Sequence, residues 1–394
     1  MLATTAELEL IRRSRREVNT LKEKLALTSL VDELFHFPSF IFFSFSDVCN
    51  LKCRFCGRES MHHKKDGIFT MEMFGQVAPY LHLVNFVAFT GHGEPTMHPR
   101  FFDVAETCKR AGARVHLTTN GTLLDDRRIN HLLDMGLDEM IVSLDGTTEE
   151  TTADLRAGFQ LAPILSNVER LIAERNRRGL SAPQVDMHMV VSRNNMHQMP
   201  DMVRLCRRLT LRELKIFNMI AHKPEFLSES VCHTWRFKYY MFRARRLAKR
   251  LGVAFQYLYN QPDPRRQSRV INRKDDGVRR YCTFPWQMPF LYKEGDVRPC
   301  CVSDFVLGDL HHETLWQVMH GETARNLRRS FITGDYVFDC ARCGLIKTLD
   351  WEYVRRTLDE VEREIAAGDW TADERAELTH LLQLHHVEYE RQRP

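Results

Sequence analysis

The chain has 394 residues, 43% of them hydrophobic and 27% charged, which is enough for one large domain and a small one. A net charge of +4 is mild at this size, and with no nucleic-acid motif it gives no reason to expect a nucleic-acid partner. No apolar run is long enough to span a bilayer, and eleven cysteines without a secretion signal point to a reducing compartment, the cytoplasm. Residues 1–37 read as a helical extension, with Leu8, Ile11, Val18, Leu21, Leu25 and Leu30 as its apolar positions. From residue 40 strands and helices alternate. Strand-like runs fall near 40–45, 85–89, 114–118, 139–143, 185–191, 214–218 and 253–257, with helical patterns between them. Repeated βα units predict an α/β fold: a parallel sheet with helices outside, curled by right-handed crossovers toward a barrel. Chemistry in such a barrel lies at the C-terminal strand ends. Prolines and charges over 261–280 mark a linker. A hairpin follows, with Lys293-Glu294-Gly295-Asp296 as its turn, and two charged helical stretches fill 346–394.

The residues with chemistry gather at the predicted strand ends. Cys49, Cys53 and Cys56 stand at C-x3-C-x2-C directly after the first strand. Three thiolates on one loop suit an iron–sulfur cluster and leave one iron open to another ligand. A zinc loop completed by His62 or His63 is the alternative. The second strand ends in Gly91-His92-Gly93-Glu94-Pro95, where glycines allow a close approach and carbonyls with a carboxylate can accept from an ammonium. The third ends in Thr119-Asn120-Gly121, a turn signal in any protein. The fourth ends in Ser143-Leu144-Asp145-Gly146, with Arg156 downstream; a hydroxyl and a guanidinium can share a carboxylate. Met189 and Val191 on the fifth strand read equally as core, and Asn218 and Tyr257 end later strands as candidate substrate contacts. Cys282, Cys300, Cys340 and Cys343 can close the coordination of one further cluster, or of a zinc ion, while Cys301 has no place among them.

The first cysteine spacing, with Phe55 just before its third member, resembles the radical S-adenosylmethionine (radical SAM) superfamily. That resemblance implies a partial (β/α)6 barrel over 38–260 and a [4Fe-4S] cluster whose open iron chelates SAM. It implies that Gly91, Gly93 and Glu94 hold the SAM amino group and that Thr119 and Asn120 sit near the ribose. Ser143 and Arg156 would take the carboxylate, and Met189 and Val191 would pack on adenine. The second spacing resembles the SPASM/Twitch extension, over 281–345. Its Twitch form carries one auxiliary [4Fe-4S] cluster, and no cysteine follows Cys343 to supply a second. The implied activity is reductive cleavage of SAM to a 5′-deoxyadenosyl radical that takes hydrogen from a substrate carbon. A flavodoxin or ferredoxin would be the reducing partner. The four-cysteine spacing resembles a Twitch dehydrogenase of an aminocyclitol, so oxidation or epimerisation of a sugar-like small molecule leads, with Cys301 as a hydrogen donor for epimerisation. Oxidative modification of a peptide or protein is the second expectation, and a non-catalytic iron–sulfur or zinc protein the third.

Overall fold

The computed structural model describes residues 5–29, 31–60, 67–219, 221, 223–258, 280–301, 303–341, 343, 347–348 and 350–392. His62, His63 and nearly all of the expected linker lie outside the described residues. Helix α1 (Thr5–Ser29) leads into strand β1 (Phe40–Ser44), the short β2 (Lys52–Cys53) and the one-and-a-half-turn α2 (Met71–Gly75). Strand β3 (Phe86–Thr90) and α3 (Phe101–Arg110), β4 (Arg114–Thr119) and α4 (Asp126–Asp134), and β5 (Glu139–Ser143) repeat the unit. After α5 (Glu149–Leu155) and the two-residue β6 (Arg156–Ala157) comes α6 (Leu161–Arg177). Strand β7 (Gln184–Val191) with α7 (Met199–Arg208), β8 (Glu213–Asn218) with α8 (Trp235–Leu251), and β9 (Ala254–Leu258) complete the series.

The seven long strands are parallel neighbours in the order β1-β3-β4-β5-β7-β8-β9, so six βα steps and a last strand make a sheet that curls without closing. Alternation along each strand decides what faces the interior. On β7, Met187 meets Cys206 of α7, so the odd-numbered residues face the helices. Asp186, His188 and Val190 therefore face inward; Asp186 pairs with Arg212, and the His188 ring lies 4.7 Å from Phe217. Below the loop after β1, Phe43, Phe45, Phe69, Phe89 and Phe101 form a buried aromatic cluster, with Phe43 stacked on Phe89 at 5.4 Å.

The C-terminal part does not stand apart. After β10 (Arg280–Tyr281) and α9 (Phe284–Gln287), strand β11 (Phe290–Tyr292) pairs parallel to β1. The hairpin partner β12 (Asp296–Arg298) and β13 (Gly308–Asp309) extend the same sheet to ten strands. Helices α10 (Leu315–His320), α11 (Glu322–Thr333) and α12 (Phe338–Ala341) follow, and β14 (Lys347–Thr348) pairs antiparallel with β10. Finally α13 (Trp351–Ala367) and α14 (Ala372–Gln392) pack on α1. Leu21 and Leu25 of α1, Leu358 and Val361 of α13, and Leu378 of α14 are buried there. No described helix is long and apolar enough to cross a membrane.

Candidate functional site: a cysteine-lined cavity at the strand ends

A cavity of about 300 Å³ opens at the C-terminal ends of β1, β3, β4, β5 and β7. Cys49, Cys53 and Cys56 line it together with Phe55, Gly91, Gly93, Glu94, Thr119, Asn120, Ser143 and Arg156. Nearly every residue singled out around the first cysteine motif thus faces one space. Met189 and Val191 do not: they are 0% and 1% exposed and point to the helix side, as core residues, and Val190 is the β7 residue that lines the cavity. Asn218 and Tyr257 also differ from expectation. The Tyr257 hydroxyl donates to Asn218 Oδ1 at 2.8 Å, and its ring packs on Phe237 of α8, away from the interior.

Three devices shape the cysteine loop. Arg58 is buried beneath it and donates to the backbone oxygens of Asp47 and Leu51, both at 3.0 Å. Gly93 lets the next strand end come close: a Cβ there would stand 2.0 Å from the Ser46 carbonyl oxygen and 2.7 Å from that of Val48. Strand β2 pairs antiparallel with β6, which sets Cys53 opposite Arg156. The loop is also tied outward, Arg54 to Asp154 and Glu229, and Phe55 edge-on to Phe226 at 5.1 Å. Sequence reasoning missed Arg58; its only signal is a lone arginine two residues past the last cysteine.

Polar atoms around the cavity divide into braces and free groups. Glu94, 2% exposed, accepts at Oε1 from the Thr96 hydroxyl at 2.7 Å and the Thr119 hydroxyl at 2.8 Å, and at Oε2 from the Asn120 N–H at 2.7 Å. Burial pushes its pKa up, and these bonds pull against that. Glu94 and Thr119 therefore border the cavity but spend their hydrogen bonds on joining β3 to β4. The Asn120 amide reaches Asn50 Oδ1 at 3.0 Å and lies 3.9 Å from the Cys49 sulfur. Arg156 is held by one edge only: its Nε donates to Asp145 Oδ2 at 2.8 Å, while Asp145 Oδ1 accepts from the Val190 N–H. Burial works against its charge, but Asp145 and then Cys53 outweigh it and hold the guanidinium firmly protonated. Burial pushes the Cys53 thiol up to about 11 and raises Cys56 as well. Among the described residues no His, Cys, Asp and Glu side chains converge on a single-ion site. The three cysteines, spread around one cavity beside two buried arginines, fit a multi-iron cluster, whose thiolates are anionic.

In the C-terminal part Cys282 follows β10, Cys300 ends the hairpin, and Cys340 and Cys343 flank one turn closed by the bond from the Cys343 N–H to the Cys340 carbonyl, at 3.1 Å. Cys301 is exposed and is not among the residues lining the cavity of the first three cysteines.

Sequence comparison agrees with this division. The radical SAM superfamily profile matches residues 43–206, and that of the SPASM iron–sulfur cluster-binding domain matches 282–344. A tungsten-containing aldehyde ferredoxin oxidoreductase cofactor-modifying protein of Pyrococcus furiosus is 27% identical over 49% of this chain and 54% of its own length. The PqqA peptide cyclase of Bradyrhizobium diazoefficiens is 26% identical over 48% of each chain. The chain thus spans about half the length of these curated relatives. Among solved structures, Streptococcus suis SuiB bound to its precursor peptide SuiA superposes with a TM-score of 0.56 at 15% identity, covering 76% of this chain and 68% of SuiB. The anSMEcpe protein with bound AdoMet gives 0.54 at 18% identity, over 89% and 99%. At such identities these two likenesses speak for the fold. The chain thus carries a radical SAM domain over residues 43–206, which takes a [4Fe-4S] cluster and SAM, and a SPASM-type iron–sulfur cluster-binding domain over residues 282–344.

Proposed function

We propose that this protein is a radical SAM enzyme that modifies a polypeptide substrate at the mouth of its partial barrel. The observation that carries the radical SAM part is the single cavity shared by Cys49, Cys53, Cys56, Gly91, Gly93, Ser143 and Arg156. The three cysteines would hold the cluster, and Cys282, Cys300, Cys340 and Cys343 an auxiliary one. When bound, the reduced cluster with SAM supplies a 5′-deoxyadenosyl radical. The chain's own part is to bind and to exclude. Arg156 presents its free edge to a carboxylate, with Ser143 beside it, and the backbone at Gly91 and Gly93 comes close enough to accept from an ammonium. Val190 and Phe55 offer apolar surface to the adenosyl group and keep water from the reacting carbon.

The polypeptide reading draws support from two sides. A PqqA peptide cyclase stands among the relatives, and the structural neighbour SuiB is seen bound to a precursor peptide. The cysteine loop also contacts Phe226 and Glu229, and their chain neighbours Leu227, Ser228 and Ser230 line an open cleft of about 880 Å³. A sugar-like small molecule, oxidised or epimerised, is the second reading, favoured by the Twitch-like spacing of Cys282, Cys300, Cys340 and Cys343. A low-potential reductant such as flavodoxin or ferredoxin would supply the electron. The test is anaerobic reconstitution, iron counting, then dithionite and SAM. 5′-Deoxyadenosine should form and should vanish in Cys53→Ala. Zinc in place of iron, with no cleavage of SAM, overturns the proposal.

A further inference from the structure

Helix α8 has seven lysines and arginines in seventeen residues and no acidic one. Its outward face is unusual for a helix in water. Trp235, Tyr239 and Phe242 recur at i, i+4 and i+7 and are 71%, 49% and 62% exposed. Side chains at that spacing share one face. Arginines flank them: Arg236 stacks over the Trp235 ring at 5.8 Å and Arg243 over the Tyr239 ring at 5.6 Å. A guanidinium lying on a ring keeps its N–H edge free for a carboxylate. Among the described residues Arg236, Arg243, Arg246 and Arg250 make no ion pair, unlike Arg100, Arg128, Arg170, Arg178 and Arg204.

Two clefts make this face concave. The first, about 880 Å³, is lined by Arg193, Leu227, His233, Trp235 and Arg236 at the start of α8. The second, about 460 Å³, lies between α7 and α8 and is lined by Arg204, Tyr239, Phe242, Arg243, Arg246 and Arg250. Among the described residues no carboxylate lines either one. The loop before α8 carries Phe226, which packs on Phe55, and Glu229, which pairs with Arg54, so the track starts at the cysteine loop.

We propose that the α8 track binds an acidic, apolar-spaced stretch of polypeptide and so holds the substrate while a neighbouring residue enters the cavity. This deepens the polypeptide reading and rests on it. Carboxylates would take the free guanidinium edges, and apolar side chains the Trp235 and Phe242 surfaces. A helix of seventeen residues is about 25 Å long, room for roughly seven or eight residues of extended chain. Concave clefts suit a chain better than a flat bilayer. Asp201, paired with Arg204 of the second cleft, and Glu229, paired with Arg54, stand at the two ends of the track; a polynucleotide, charged at every residue, would meet them, while a peptide can set neutral residues there.

The test uses the reconstituted full chain and a fluorescein-labelled dodecamer of Glu-Leu-Glu-Phe repeats, read by anisotropy. Binding should weaken steeply with salt and fall at least tenfold in Arg243→Glu/Arg246→Glu. Formation of 5′-deoxyadenosine without substrate should stay at the wild-type rate, which separates failure of the track from failure of the radical reading. Arg246→Gln, milder and on the surface, should give a smaller loss in the same direction. An unchanged affinity in the double variant overturns the proposal. So does tighter binding of a twelve-nucleotide single-stranded RNA, or of phosphatidylserine vesicles, than of the peptide.

Discussion

Glu94 separates two roles that its position alone would confuse. Its side chain borders the cavity, yet its oxygens accept from Thr96, Thr119 and Asn120. The change Glu94→Gln keeps the volume and replaces one acceptor oxygen by a donor. If the amide nitrogen faces Asn120, two donors meet where a 2.7 Å bond stood, and a buried N–H loses its partner. Losing a hydrogen bond to a charged acceptor costs about 1.5–3 kcal/mol, and an orphaned buried donor about 1–3 kcal/mol more. If the amide turns round, the Thr96 and Thr119 hydroxyls can rotate to accept, but the Thr96 N–H that donates to Oε1 at 3.3 Å loses its acceptor, so the cost falls only part of the way. Relief of a buried charge offsets part of either sum. A net loss of about 2–4 kcal/mol follows, felt first where β3 meets β4. Since about 1.4 kcal/mol is a factor of ten, amide exchange around Asn120 should quicken by about thirtyfold or more. Hydrogen exchange by mass spectrometry over residues 114–124, with SAM affinity by equilibrium dialysis, reads both roles. Unchanged exchange together with lost SAM affinity would refute the brace and make Glu94 a contact of the ligand.

Other predictions follow from the same geometry. Gly93→Ala should abolish iron incorporation without unfolding the barrel, because the added Cβ runs into the Ser46 and Val48 carbonyls; iron counting and circular dichroism check both halves. Arg58→Met keeps the buried stem and strips the donors from two backbone oxygens, so about 2–5 kcal/mol of loop stability should go and iron content should fall. Asp145→Asn leaves Arg156 buried without its counter-charge, which should cost about 3–5 kcal/mol and weaken SAM binding in dialysis. His36 is fully buried, and burial lowers its pKa from 6.5 to about 3. Between pH 6.5 and 5 the unfolded chain takes up a proton there that the folded chain refuses, so His36 removes about 2 kcal/mol of stability on acidification. Neighbouring Glu23, pushed by burial up to about 8, works in the opposite sense. The measurement is therefore the difference between wild type and His36→Gln in melts at the two pH values, and equal pH dependence in both would contradict the burial argument.

The strand order was legible because each βα unit carries its own signal, a short β-branched or aromatic run and then a 3.6-residue pattern. The cavity was legible because barrel chemistry sits at strand ends, and the cysteines, Gly91–Glu94 and Ser143 each stand at one. The error at Met189 and Val191 came from reading apolar character instead of phase. Gln184, Asp186 and His188 are polar at every second position, which marks the inward face and selects Val190 as the next inward residue. Asn218 and Tyr257 failed for a related reason, since ending a strand does not say to which side a residue turns. Arg58 could not be found by spacing. Its role depends on two backbone oxygens that come within reach only when the loop is folded.

The boundary expected near residue 281 marks a change in sequence, while the sheet runs straight across it. Strand β11 lies along β1, with Phe42 stacked on Phe290 at 4.6 Å, and β1 is the strand that launches the cysteine loop. At the far end of β11, Lys293 pairs with Asp47 of that loop at 3.3 Å, both side chains under 8% exposed. Burial raises the Asp47 pKa and Lys293 draws it back, so the contact is an ion pair held largely out of water. Buried pairs are poor sources of net stability, but removing one partner is costly, and that makes them sensitive to position. Cys300 follows β12, whose partner β11 lies beside β1, so it and the cavity cysteines are carried by one hydrogen-bonded sheet, while Cys282 follows β10 in a separate two-stranded ribbon. A displacement of the hairpin by one residue would turn every β11 side chain to the other face and pull Lys293 off Asp47. Register along β1 therefore sets where Cys300 stands relative to the loop of Cys49, Cys53 and Cys56.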